Sequence, residues 1–92
     1  MASWYGDEHR GLPMANGKPF NPDKLTAASW FYPLGTRVVV THDGRSVVVE
    51  VTDRGPAKRL VARGRKIDLS HAAFAKLAEP DLGLIDVTIQ KQ

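Results

Sequence analysis

Two aspartates stand at positions where a carboxyl group could do chemistry. Asp53 directly follows a valine-rich, strand-like run, and Asp68 lies between Ile67 and Leu69 in a second apolar run. Strand ends that lead into loops are where binding and catalytic sites are usually built. A carboxylate inside an apolar strand costs free energy unless it is paired, hydrogen-bonded or open to a cleft. We therefore predict that both aspartates converge on one cleft, where paired carboxyl groups could exchange protons with a ligand.

Each aspartate also has a purely structural interpretation. Asp53, in the segment Asp53-Arg54-Gly55-Pro56, could cap the turn by accepting backbone N–H bonds, while Arg54 holds its carboxylate ionised. Asp68 could accept backbone N–H bonds at the start of a following helix, or pair with a basic residue between positions 58 and 66. The sequence leaves both interpretations open.

The segment between positions 54 and 66 is strongly cationic. It holds six of the 13 basic residues: Arg54, Lys58, Arg59, Arg63, Arg65 and Lys66. Such a loop either attracts an anionic ligand or is simply solvated, and we expect Arg63 and Arg65 to be exposed. The net charge is only +3, and no helix-turn-helix, stacking motif or phosphate loop accompanies the basic residues, so nucleic acid is not an expected partner. The hypothesis of a cytosolic nucleic-acid-binding or adaptor barrel is therefore supported by this loop alone.

Aromatic and histidine side chains complete the set of candidate groups. Trp30, Phe31 and Tyr32 stand in a loop flanked by proline and glycine, where their rings could stack on sugars or plug the ends of a small core. The three histidines are far apart in sequence and form no i, i+4 ligand pair, so we predict neither a metal site nor a cofactor.

Composition limits what can position these residues. A chain of 92 residues with 42% hydrophobic and 25% charged residues is a single globular domain spanning 1–92. No apolar run approaches the roughly 20 residues of a membrane-spanning helix. The absence of cysteine excludes disulfides, thiol nucleophiles and zinc fingers. The first ten residues contain no signal-peptide core, and a leader removed ahead of Met1 is expected if the protein is exported.

Hydrophobic periodicity predicts an all-β domain with one short α-helix. Two valine-rich arms within residues 37–51 flank Asp43-Gly44, which favours a type I′ hairpin, and both faces of these arms are expected to be covered. Residues 84–90 alternate as a half-buried strand, and residues 2–5, 25–28 and 66–69 are further strand candidates. Ser70 should cap a helix over 71–78, whose apolar face holds Ala73, Phe74 and Leu77. About six strands with so little helix predict a small barrel rather than an open parallel sheet.

Seven segments, in order along nearly the whole chain, resemble the RlpA (rare lipoprotein A) domain family. They are Ala2-Ser3-Trp4-Tyr5-Gly6, Ala15-Asn16-Gly17 with Phe20, Leu25-Thr26-Ala27-Ala28, Pro33-Leu34-Gly35-Thr36, Gly44-Arg45-Ser46-Val47, Asp53-Arg54-Gly55-Pro56, and Ile67-Asp68-Leu69-Ser70 with Ala72, Ala73 and Leu77. The resemblance implies a six-stranded double-psi β-barrel. It also implies a lytic transglycosylase that cuts peptidoglycan glycan strands with a 1,6-anhydro product, acting as a monomer in the bacterial periplasm or cell envelope.

The same resemblance assigns roles to residues and shows two departures. It carries over Asp53, which would act as acid and then base, assisted by Asp68 or by another residue that the sequence does not identify. Together with the residue types discussed above, it predicts that Trp30, Tyr32, Arg54, Lys18 and Ser29 contact substrate. Active members carry Glu where Lys18 stands here and His where Ser29 stands, and a cation at position 18 would favour the ionised form of a nearby carboxylate. Expansins share the barrel and a similar Asp68-Leu69-Ser70 segment with Phe74. The alternative function is therefore an expansin-like module that binds wall glycan without cutting it.

Overall fold

Six strands form one continuous sheet that curls into a barrel, as predicted. The computed structural model describes all 92 residues. The strands are β1 (Ala2–Tyr5), β2 (Thr26–Ala28), β3 (Arg37–His42), β4 (Arg45–Asp53), β5 (Ile67–Ser70) and β6 (Thr88–Lys91), and the helices are α1 (Lys58–Val61) and α2 (His71–Ala75). The spatial order is β1-β5-β2-β4-β3-β6. Two backbone hydrogen bonds between Ala2 and Ile85, 2.9 and 3.0 Å long, form an isolated bridge from the edge strand β1 to the segment that leads into β6.

The central part of the sheet combines parallel and antiparallel pairs. Strand β1 runs parallel to β5 and β2 runs parallel to β4, whereas β2 and β5 are antiparallel. These parallel pairs join strands that are far apart in sequence, so the chain crosses over itself instead of folding into consecutive hairpins. The result is the predicted double-psi type of barrel.

The β3–β4 hairpin forms as predicted, but only one of its faces is buried. Asp43 and Gly44 have φ angles of 49° and 83°, the two positive values that a type I′ turn requires. The inward positions hold fully or nearly fully buried valines, namely Val38, Val40, Val47, Val49 and Val51. The expectation that both faces are covered is wrong, because Val48 on the outer face is 38% exposed.

Helix α2 begins where its cap predicts. The Ser70 hydroxyl accepts a hydrogen bond from the Ala73 amide (3.3 Å), and Ala73, Phe74 and Leu77 are buried against the sheet. The helix ends at Ala75 and not at residue 78, and the next two amides, of Lys76 and Leu77, bond to carbonyls only three residues back. The predicted C-terminal strand is also shorter: Ile85 makes only an isolated bridge, and regular pairing with β3 begins at Thr88.

One helix was missed by the sequence analysis. Helix α1 lies inside the cationic segment that was predicted to be a loop, so the domain has two short helices instead of one. It has a single turn, no side-chain cap and no acidic residue in its first turn, so none of the usual start signals is present. Neither helix is long or apolar enough to cross a membrane.

Candidate functional site

The strand register brings the two predicted aspartates together. Ala28, at the end of β2, is paired with Asp53 of β4 on one side and with Asp68 of β5 on the other. Both aspartates line one open cleft of about 210 Å³, here called the aspartate cleft. Its lining consists of Tyr5, His9, Ala28, Asp53, Arg54, Gly55, Pro56, Ala57 and Asp68. The fold therefore brings both aspartates to one cleft, as their positions at two strand ends predicted.

Asp53 is anchored through one carboxylate oxygen. Its Oδ1 accepts hydrogen bonds from the backbone amides of Ala15 (2.9 Å) and Arg54 (2.8 Å). Oδ1 thus caps the turn, as the structural interpretation of Asp53 predicted. Oδ2 has no protein partner, so it is the oxygen that a ligand in the cleft can reach.

Asp68 is held in the same one-sided way by different groups. Its Oδ1 accepts a hydrogen bond from the Ser3 hydroxyl and lies 3.9 Å from Nη2 of Arg65. The helix cap is Ser70, so the interpretation of Asp68 as a cap is wrong, whereas pairing with a basic residue from positions 58–66 is observed. The Asp68 side chain keeps 22% of its surface exposed, and Oδ2 has no hydrogen-bond or ion-pair partner.

Two titratable side chains of the aspartate cleft were not predicted as site residues. Tyr5 follows Ser3 by two positions in β1 and therefore lies on the same face of the strand. Burial, followed by the negative charges of Asp53 and Asp68, raises the pKa of Tyr5, and its buried hydroxyl has no hydrogen-bond partner. His9 lines the cleft beside it, with its ring edge-on to Tyr5 at a centroid distance of 5.6 Å. The period-2 pattern of β1 could have indicated Tyr5, but no local pattern indicates His9.

Arg54 is a clamp on the aromatic loop, and its side chain does not pair with Asp53. Its Nη1 donates hydrogen bonds to the backbone carbonyls of Ser29 (2.8 Å) and Tyr32 (2.9 Å). Only the Arg54 backbone amide contacts the Asp53 carboxylate. The cation beside a cleft carboxylate is Arg65, which corrects the expectation that Arg54 holds Asp53 ionised.

The aromatic loop separates into two environments. Trp30 is 43% exposed, donates from Nε1 to the carbonyl of Pro56 in the cleft lining (2.6 Å), and has Lys58 Nζ 5.0 Å from its ring centroid. Trp30 is thus exposed at the margin of the aspartate cleft. Tyr32 packs against the core and lines a different, apolar groove with Phe31. Of the two predicted aromatic contacts, only Trp30 has a side chain that bonds to the lining of the aspartate cleft.

The two residues that depart from the family pattern lie outside the aspartate cleft. Ser29 is fully buried, and its hydroxyl accepts a hydrogen bond from the Phe31 amide (3.1 Å). Lys18 is exposed and lines a neighbouring polar groove of about 240 Å³ together with Lys24 and Glu50. The expected effect of Lys18 on a cleft carboxylate therefore has no support in the geometry.

The cationic segment is mostly solvated. Lys58, Arg59, Arg63 and Lys66 are exposed, as expected for surface charges. Arg65 was also expected to be exposed, but it is half-buried because its side chain turns inward toward Asp68, with 29% of its surface accessible. Arg65 thus belongs to the site, whereas the four exposed basic residues face solvent.

Comparison with known proteins shows the family to which the chain belongs. The family model described as "Lytic transglycolase" matches residues 1–89. A probable endolytic peptidoglycan transglycosylase RlpA of Nostoc sp. is 47% identical over 94 aligned residues, covering 98% of this chain and 24% of that protein. The endolytic peptidoglycan transglycosylase RlpA of Pseudomonas aeruginosa is 41% identical over 97% of this chain and 26% of its own length. The chain thus spans about a quarter of these relatives.

A solved structure extends the comparison to the fold. The Streptomyces papain inhibitor superposes with a TM-score of 0.72 at 31% sequence identity, covering 98% of this chain and 88% of the inhibitor. The similarity therefore runs along the whole barrel. The family match covers β1 to β5 completely and the first two residues of β6. The chain belongs to the lytic transglycolase family of RlpA-like double-psi β-barrel domains.

Proposed function

We propose that this domain acts on bacterial cell-wall glycan and cleaves it as a lytic transglycosylase, with Asp53 and Asp68 as its catalytic carboxyl groups. The observation that supports this most directly is that each carboxyl group is anchored through Oδ1 and leaves Oδ2 free in the same cleft. A carboxyl group held in this way is oriented and still able to exchange a proton with a ligand. Relatives named as peptidoglycan transglycosylases supply the substrate class.

The proposed reaction needs only proton transfers and the sugar's own hydroxyl. Asp53 gives a proton from Oδ2 to the bridging oxygen, and the bond between that oxygen and C1 breaks. The 6-hydroxyl oxygen of the same sugar then bonds to C1 and closes a 1,6-anhydro ring, and its proton passes to the carboxylate. No water is consumed, so the two carboxylates do not need the spacing that a hydrolytic water requires.

Asp68 has a supporting role in this scheme. Its ionised carboxylate faces the positive charge that develops on the sugar ring as the bond breaks, and electrostatic stabilisation of this kind is often a large part of catalysis. Ser3 and Arg65 fix its orientation from the other side. Trp30 offers an exposed ring at the margin of the cleft on which a second sugar can stack.

A glycan-binding module without cleavage is the second candidate. It is favoured by Lys18 and Ser29, which stand where active members of the family carry Glu and His. The similar barrel of a protein named as a papain inhibitor illustrates that the fold by itself does not decide activity. In this version the free Oδ2 atoms of the cleft accept hydrogen bonds from sugar hydroxyls, and Trp30 stacks as before.

The proposed partner is peptidoglycan, and the proposed location is the bacterial envelope or periplasm, where that substrate lies. In this proposal the domain acts as a monomer. It needs no metal or cofactor, because the reaction uses only carboxyl groups of the chain itself. Nucleic acid has no role in it, since the lining of the cleft carries two carboxylates.

Purified sacculi separate the two candidates. We expect the chain to release products ending in 1,6-anhydromuramic acid, and Asp53→Asn to lower that release by at least about 100-fold, as loss of an acid–base group does. Asp68→Asn should also lower it. Asp86→Asn is the matched control, because Asp86 is exposed and outside the cleft. Co-sedimentation with sacculi but no anhydro product would refute cleavage and leave the binding module.

A further inference from the structure

We infer that His9 is a further catalytic residue of the aspartate cleft, the base that accepts the 6-hydroxyl proton while Asp53 serves as the acid. This inference rests on the proposed cleavage function. It assigns to two groups the two proton transfers that a single carboxyl group would otherwise perform in turn.

The position of His9 is the first support. His9 lines the same cleft as Asp53 and Asp68 and is the one histidine that does so. Its ring is edge-on to Tyr5, and Tyr5 is itself stacked on the Phe20 ring at a centroid distance of 4.3 Å. Because Phe20 is buried, this stack gives the exposed imidazole a fixed wall to rest against.

The second support is that the imidazole has an orienting partner. Nδ1 of His9 lies 3.4 Å from Oε1 of Glu8, and the same oxygen accepts from the Gly6 amide (3.5 Å). Hydrogen bonding from its own backbone amide and the proximity of His9 lower the pKa of Glu8, so Glu8 is a carboxylate at neutral pH. Because Nδ1 lies beside the Glu8 carboxylate, the proposal uses Nε2 as the nitrogen that accepts the proton.

The third support comes from the oxygen atoms of Asp53. Because Oδ1 is used by two backbone amides, only Oδ2 is available for proton exchange. If Asp53 acted alone, this single atom would have to serve the bridging oxygen and then the 6-hydroxyl. A second group in the cleft removes that requirement, and the imidazole of His9, which lines the same cleft, can accept a proton.

The proton balance closes. Asp53 loses its proton to the bridging oxygen as the C1–oxygen bond breaks. The 6-hydroxyl oxygen bonds to C1, and its proton moves to Nε2 of His9. The imidazolium then returns that proton to the Asp53 carboxylate through solvent, which restores both groups without consuming water.

The test measures anhydro product from glycan strands stripped of their stem peptides. We expect His9→Gln to lower the rate of product formation by about 100-fold or more while co-sedimentation with sacculi is unchanged. Glu8→Gln should lower the rate by a smaller factor, because it removes only the orienting charge. His42→Gln is the matched control and should keep the wild-type rate, since its Nδ1 contacts the Asp86 carbonyl (2.7 Å) away from the cleft.

A chemical rescue separates catalysis from structure. Added imidazole should restore part of the activity of His9→Ala, which a merely structural role would not allow. A His9→Gln variant that cuts at the wild-type rate, or a His9→Ala variant that imidazole cannot rescue, overturns the inference while the cleavage function stands. Absence of product from the unmodified chain overturns the cleavage function itself, and the inference with it.

Discussion

Removing the Arg54 side chain should destabilise the domain and release its aromatic loop. Nη1 of Arg54 bridges the carbonyls of Ser29 and Tyr32, so it ties together the two residues on either side of the Trp30–Phe31 pair. The Asp53 carboxylate does not depend on this clamp, because it is held by two backbone amides. The substitution Arg54→Ala therefore acts on the loop and leaves the anchor of Asp53 in place.

The expected loss of stability follows from the two hydrogen bonds that Arg54 donates. A hydrogen bond to a charged group contributes about 1.5–3 kcal/mol when it is well shielded, and Arg54 is only half-buried, so the lower end applies to each. We expect Arg54→Ala to reduce the free energy of unfolding by about 2–3 kcal/mol. For a domain of this size the melting temperature should fall by roughly 10–20 °C. Glycan binding should weaken as well, because Trp30 loses its fixed position.

Urea denaturation followed by tryptophan fluorescence measures the change in stability. Arg59→Ala is the matched control: Arg59 is exposed and makes no side-chain hydrogen bond or ion pair, so its removal should change stability by no more than about 0.5 kcal/mol. Equal stabilities of the Arg54→Ala and Arg59→Ala variants would refute the clamp. A loss of stability with unchanged binding to sacculi would refute the link between the clamp and Trp30.

Two further predictions concern charge. The pKa of Tyr5 is raised above its usual value of 10.0, so the unfolded chain releases this proton first, and wild-type stability should fall more steeply above pH 10 than that of Tyr5→Phe, by at most about 1.4 kcal/mol per pH unit. Equal slopes in urea titrations at several alkaline pH values would contradict this burial. The exposed basic residues of the cationic segment should make binding to sacculi weaker in added salt, and Arg63→Gln should reduce that salt dependence without loss of stability. Sedimentation with sacculi that is indifferent to ionic strength would separate this segment from the binding surface.

Local patterns were sufficient for the elements that depend on neighbouring residues. The positive φ values of Asp43 and Gly44, the Ser70 cap and the buried face of α2 all follow from interactions within a few positions of one another. Helix α1 was missed because its single turn has no such local signal. The covering of both hairpin faces was wrongly expected because β-branched residues favour a strand whether or not a second layer packs over them.

The composition of the site could be predicted only in part. Asp53 and Asp68 were predicted from their positions at strand ends, and the register of both with Ala28 explains why they meet. His9 lies 44 positions before Asp53 and 59 before Asp68, and it reaches the cleft only because β1 pairs with β5. Its role could not be inferred from spacing, since no sequence period connects these segments.

The amino-acid sequence by itself determined the family, the strand-rich fold and the two carboxyl groups, because alternation, turn chemistry and ordered motifs are properties of short segments. Only the tertiary structure decided which groups surround those carboxylates: Arg65 and not Arg54, Ser3 from a distant strand, and a buried Ser29 that does not line the cleft. The physical reason is that crossing parallel strands pair residues at least 24 positions apart, such as Ala28 with Asp53 and Ser3 with Asp68, and those contacts depend on how the whole barrel packs rather than on the residues adjacent to each one.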